Sequence, residues 1–144
     1  MSSDFDRAIA FVLKWEGGYV NNPADPGGET KFGISQRAYP SVNIKDLTEE
    51  QAKAIYKRDY WEKMGCDALT WPMSLIVFDT AINMGCSKAA EIRSKAGEDW
   101  REYLGLRIGH YVRLAIKLSM RQFLLGWLNR VMDLWETANK MDKA

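Results

Sequence analysis

Between residues 17 and 28 the chain carries Gly17, Gly18, Pro23, Pro26, Gly27 and Gly28, and this cluster constrains the fold more than any other feature. Proline offers no amide hydrogen and its ring clashes with the preceding helical turn, while glycine loses the most entropy when held helical, so no helix crosses the stretch. Upstream, Phe5, Ile9, Val12 and Leu13 recur at helical spacing behind the capping pair Ser3 and Asp6, predicting a helix from about residue 4 to 16. Gly17 and Gly18 are expected to supply the left-handed conformation that ends it. The runs Tyr19-Val20 and Lys31-Phe32-Gly33-Ile34 then pair as a small hairpin, the one β element expected.

Everything downstream reads as helix. Leu47 is placed as a hydrophobic staple before Thr48, and Thr48 with Gln51 makes a capping box for a helix through Ala52, Ile55, Tyr56 and Tyr60 to Gly65. Pro72 opens a helix that is apolar nearly all round, through Leu75, Ile76, Val77, Phe78, Ala81 and Ile82 to Gly85, and is therefore expected to be central and buried. A short helix from Ser87 to near Gly97 and a longer one over about 98 to 118 follow. Ser119 with Gln122 then predicts a second capping box, opening a last helix with Phe123, Trp127, Val131, Leu134 and Trp135.

At 47% hydrophobic residues a chain of 144 can bury a core without covalent staples. Cys66 and Cys86 have no zinc-type spacing and only His110 for company, so reduced thiols and neither metal nor organic cofactor are expected. No secretory signal, membrane-spanning window or stable membrane insertion is expected, so the chain is expected to be made in the cytoplasm; a monomer is expected as well. Net charge is +1, yet no acid lies between Glu102 and Asp133, where Arg107, Arg113, Lys117, Arg121 and Arg130 fall. That segment is either a surface for an anionic polymer or a solvated helix face.

Glu16 stands where the first helix ends. The partial negative charge of a helix carboxyl end disfavours an ionised glutamate by roughly 0.3–1 kcal/mol, so stability alone would place lysine there. A carboxyl group that keeps its proton is what a general acid requires, and glycosidic bond cleavage needs such an acid together with, in most cases, a second carboxylate. Asp25, on a loop stiffened by Pro23 and Pro26, is the candidate partner; the alternative is ordinary turn chemistry, its side chain accepting backbone N–H bonds. The hydroxyl of Thr30, on the returning strand, is placed to hold a water.

The run EGGYVNNPADPGG from Glu16, followed by TKFGIS from Thr30, resembles the signature of glycoside hydrolase family 108, phage-type N-acetylmuramidases. The likeness continues in Tyr60-Trp61, in DTAINMG from Asp79 and in FLLGWLNRV from Phe123, and so covers nearly the whole chain. It implies a mainly α, lysozyme-like helical bundle with one small β-hairpin after the first helix. Residues 1–87 would form the catalytic lobe, and 88–144 a helical carboxy-terminal lobe similar to a peptidoglycan-binding region. The family's essential glutamate falls on Glu16, and the substrate implied is the β-1,4 bond after N-acetylmuramic acid in peptidoglycan. Glu16, Asp25 and Thr30 are also similar in order to the acid, aspartate and threonine of the wider phage-lysozyme pattern. The chain departs from the family where a glycine- and aspartate-rich loop is reduced to residues 95–99, and its tail after Val131 is short. The implied role is that of an endolysin, held in the host cytoplasm until released to the cell wall, where it causes lysis.

Several other residues have two readings. Asp79 and Asn83 share one face of the most apolar helix, and either anchor the hairpin backbone or line the sugar cleft. Tyr19 and Tyr60 are candidates for stacking on sugar rings, whereas Trp61, Trp127 and Trp135 are expected in packing. Three rival functions remain: a noncatalytic wall-glycan-binding module, a chitinase-like hydrolase, and a nucleic-acid binder using the basic segment. The last leaves the proline- and glycine-rich hairpin without a purpose, and no nucleic-acid partner is expected.

Overall fold

The computed structural model describes residues 2–142; the ends of both expected lobes, residue 1 and residues 143–144, lie outside the described residues. The chain divides into two compact units, Met1–Lys63 and Met64–Ala144. This division falls ahead of the buried apolar helix. The reason is that this helix packs most extensively against the one that follows it.

In the first unit, α1 spans Asp4–Trp15, and the capping box forms as expected: Ser3 Oγ accepts from Asp6 N at 3.1 Å while Ser3 N donates to Asp6 Oδ2 at 3.0 Å. Its buried face is Ala8, Ile9, Phe11 and Val12. The helix ends differently from the expectation. Glu16 itself is the C-cap, with extended dihedrals (φ −89°, ψ 103°) and its N–H still bonded to Val12 O, and neither Gly17 nor Gly18 takes a left-handed conformation. Two short strands follow, β1 (Thr30–Lys31) and β2 (Ile34–Ser35), antiparallel with Thr30 opposite Ser35 and Lys31 opposite Ile34. Val20 adds a single bridge to Thr30. The run from Lys31 to Ile34 is therefore not one strand but the hairpin's own turn.

The helix α2 (Glu49–Tyr56) carries the expected box, Thr48 with Gln51, and passes directly into a π-helical turn, Lys57–Glu62. The wider turn explains an otherwise awkward spacing. Tyr56 and Trp61, five apart, are 1% and 0% exposed, which a π turn permits because residues i and i+5 stack on one side. Trp61 packs edge-on against Phe5 at 5.5 Å, the core role expected of it.

In the second unit, a 3-10 turn (Cys66–Ala68) precedes α3 (Met73–Met84), α4 (Cys86–Ala96), α5 (Trp100–Ala115), α6 (Leu118–Arg121) and α7 (Leu124–Asp142). Every residue from Met73 to Ala81 is buried, as an apolar girth demands. The second predicted capping box does not form: Ser119 lies inside α6, Gln122 Nε2 donates to its backbone carbonyl at 3.5 Å, and α7 opens only at Leu124. Phe123, expected in the last helix, lies just ahead of it and is 47% exposed. Trp127 stacks on Tyr111 at 4.7 Å and Trp135 meets Trp100 edge-on at 5.2 Å, so both tryptophans pack against α5. Cys66 and Cys86 form no disulfide, and burial pushes the Cys66 thiol up to about 12.

Candidate functional site

The hairpin turn closes onto the end of α1. Phe32 and Gly33 are its central residues, both at positive φ (52° and 80°), the combination a two-residue type I′ hairpin requires. Glycine adopts this freely, but for phenylalanine it costs about 1–2 kcal/mol. The Tyr56 hydroxyl holds the turn by donating to Phe32 O at 2.6 Å. Gly33 has no room for a side chain: an added Cβ would collide with the Tyr56 hydroxyl and sit 2.9 Å from Glu16 Oε2 and 3.0 Å from Glu16 Cβ. Glu16, Gly33 and Tyr56 thus form one close-packed cluster, with the Glu16 side chain half-buried against it. Gly17 and Gly18, which follow it, are exposed, and a Cβ at either would meet nothing within 4 Å. A half-buried carboxyl beside an exposed glycine pair leaves room for a bulky substrate to approach that segment.

Asp25 behaves as turn chemistry requires. Its Oδ1 accepts from Gly27 N at 2.8 Å, its backbone carbonyl accepts from Gly28 N at 3.1 Å, and Asn22 Oδ1 accepts from Ala24 N at 3.0 Å, so the loop is built from consecutive side-chain-to-backbone turns. One Asp25 oxygen is committed to the loop, and the residue is exposed. Thr30 exchanges both backbone bonds with Val20 at 2.8 Å and is half-buried. Tyr19, beside that bridge, is 41% exposed; its phenol is pushed up by desolvation and by the Glu29 carboxylate to which it is hydrogen-bonded. Tyr60 is half-buried, with its ring 5.7 Å from that of Tyr56. A concavity of about 650 Å³ lies elsewhere on this unit, around Gly28, Arg37 and Pro40, and none of these candidate residues lines it.

Asp79 is corrected by its surroundings. It is 0% exposed; Arg107 Nη1 donates to its Oδ2 at 2.8 Å, and Arg130 Nη2 and Nε donate to its Oδ1 at 2.7 and 3.0 Å. Burial alone would raise this carboxyl, but the Arg107 and Arg130 guanidiniums outweigh it and hold the group below the usual carboxylate value. No surface is left to offer a sugar, and the residue instead ties α5 and α7 to α3. The basic segment is redefined by the same bonds, because Arg107 (0% exposed) and Arg130 (6%) belong to the core.

Arg107 Nη1 also donates to Thr80 Oγ1 at 3.0 Å and Arg107 Nε to the Tyr111 hydroxyl at 3.0 Å, while Tyr111 donates in turn to Asn83 Oδ1. Asn83 is half-buried and lines a cavity of about 220 Å³ with His110, Tyr111, Met120 and Trp127. Burial, with Lys88 and Arg113 nearby, pushes the His110 imidazole down. Among the described residues no group of three His, Cys, Asp or Glu side chains is placed to hold a metal ion. Tyr56 and Gly33 escaped the sequence reading as site residues. Tyr56 looks like one more apolar position of its helix, and Gly33 was read inside a strand.

The profile of the family described as glycosyl hydrolase 108 matches residues 9–85, more than half of the chain and the whole of the hairpin cluster. A comparison with curated proteins gives no match. Among solved structures, that of Brucella abortus SagA is similar with a TM-score of 0.78 and 26% identity, covering 94% of this chain and 94% of that one. The fold is thus the mainly α, lysozyme-like one, and the chain belongs to glycosyl hydrolase family 108.

Proposed function

We propose that this glycosidase is a peptidoglycan hydrolase of the N-acetylmuramidase type, cutting the β-1,4 bond between N-acetylmuramic acid and N-acetylglucosamine, with Glu16 as general acid. The observation that carries the reading is the Glu16 cluster: a half-buried carboxyl at the first non-helical residue of α1, packed against Gly33 and followed by the exposed glycines Gly17 and Gly18. In the reaction Glu16 gives its proton to the glycosidic oxygen as the bond breaks, and water completes the hydrolysis at the sugar's anomeric carbon. The Asp25 oxygen not bonded to Gly27 serves the developing positive charge, and the Thr30 hydroxyl orients the water. Tyr19 and Tyr60 present ring faces to the sugars. Biologically the enzyme acts as an endolysin, waiting in the host cytoplasm until it is released to the wall.

The test digests purified peptidoglycan with the wild type and with Glu16→Gln and identifies the reducing sugar released. N-acetylmuramic acid ends from the wild type, and none above background from the variant, are expected. N-acetylglucosamine ends would make it a glucosaminidase, and undiminished cutting by Glu16→Gln would remove the acid from this position. A chitinase-like enzyme would cut chitin in preference, and a noncatalytic module would release no reducing ends at all.

A further inference from the structure

With Arg107 and Arg130 consumed by Asp79, the cations left on the surface of the acid-free segment are Arg113, Lys117 and Arg121. They sit at the corner formed by the end of α5, the short α6 and the start of α7. The same corner exposes large apolar side chains: Ile116 at 75%, Leu118 at 76%, Phe123 at 47% and Leu125 at 72%. Ile116 lies one helical turn beyond Val112, itself 49% exposed, so the apolar strip extends onto α5. Large apolar side chains exposed this close together along the chain call for a partner. Cations interleaved with them limit what that partner is. A second copy would bring like charges together, and a purely anionic polymer such as nucleic acid would bind the cations but gain nothing from five exposed hydrophobic side chains. An anionic lipid surface satisfies both, since its headgroups meet the lysine and arginines while the side chains enter the headgroup–acyl boundary.

We propose that residues 112–125 form a peripheral docking surface for anionic lipid bilayers. Docking is shallow and reversible: no helix among the described residues is long and apolar enough to cross a membrane. The corner makes no use of Glu16 or its hairpin, so the inference stands apart from the catalytic reading.

Flotation of the full chain with equimolar phosphatidylglycerol–phosphatidylcholine vesicles, against phosphatidylcholine alone, tests it at low ionic strength. Partitioning at least about tenfold higher into the anionic vesicles is expected, given the attraction each surface cation contributes. Lys117→Glu with Arg121→Glu should abolish that preference. Ile116→Ser with Leu118→Ser should lower binding by roughly tenfold, because two inserted side chains are lost. Both double variants replace exposed residues and should keep wild-type activity on soluble glycan fragments. Equal partitioning into neutral vesicles, or none into either, overturns the proposal. So does binding that duplex DNA competes away and the serine variant retains, which would make the corner a polyanion site. A concentration-dependent dimer without lipid, dissolved by the serine variant, would assign it to a second copy of the chain.

Discussion

Two carboxylates of this enzyme sit in opposite surroundings. Glu16 ends a helix, half-buried against a glycine turn. Asp79 has no exposed surface and is gripped by two arginines. From the sequence, Glu16 is the candidate acid, and Asp79 either anchors the hairpin backbone or lines the sugar cleft. What separates them is burial: Glu16 keeps part of its surface in contact with solvent, and Asp79 keeps none. A buried charge survives only when its lone pairs are filled, and once they are filled the group holds structure and has nothing left for a substrate.

Substitutions sharpen the contrast. Glu16→Gln should lower glycan cleavage roughly 10²–10⁴-fold, the range general acid catalysis contributes. Its urea midpoint should stay near wild type; a large loss of stability instead would make Glu16 another structural carboxylate. Asp79→Ala should do the reverse, costing about 3–5 kcal/mol in urea denaturation because two buried guanidiniums lose their counter-charge. Retained stability there would break the comparison from the other side.

The Asp79 carboxyl lies below its ordinary value of 3.8 in the folded state, so its contribution is fully present above that pH and is lost as pH falls through the lower folded value. Acid unfolding measured down to pH 2 should therefore be less steep in Asp79→Asn than in the wild type.

Gly33→Ala should cost about 1–3 kcal/mol for a side chain at positive φ. It should also reduce activity, since the new methyl group would press on Tyr56 and Glu16. Normal kinetics in that variant would show that the turn does not position Glu16. Asp25→Asn should have the smallest effect on stability, within about 0.5 kcal/mol, because an amide oxygen accepts the Gly27 N–H as well as a carboxylate does. Its activity should fall by less than that of Glu16→Gln. Unchanged activity confines Asp25 to the turn, and an equal fall makes it an indispensable second carboxylate.

The features legible in the sequence are those whose partners lie close along the chain. The boxes at Ser3 and Thr48 each join residues three apart, and the Asp25 turn spans two. Ser119 with Gln122 has the same pattern, yet no box forms, because Ser119 falls within α6 and only Gln122 bonds back to its carbonyl. The place of Glu16 at the end of α1 was readable, while the manner of the ending was not. Gly17 and Gly18 looked like a left-handed stop, but the chain leaves the helix at Glu16 in an extended conformation and keeps the glycines as open space.

By itself the sequence determined a helical chain broken once by a hairpin and a glutamate at the break, because helix periodicity, capping and glycine–proline chemistry act over a few residues. Only the tertiary structure decided which charged groups are available. Asp79 meets Arg107 at a separation of 28 residues and Arg130 at 51, and Tyr56 reaches Phe32 across 24. No local pattern records such meetings. Burial, which decides whether a charge must be paired or can face solvent, arises when distant segments pack together.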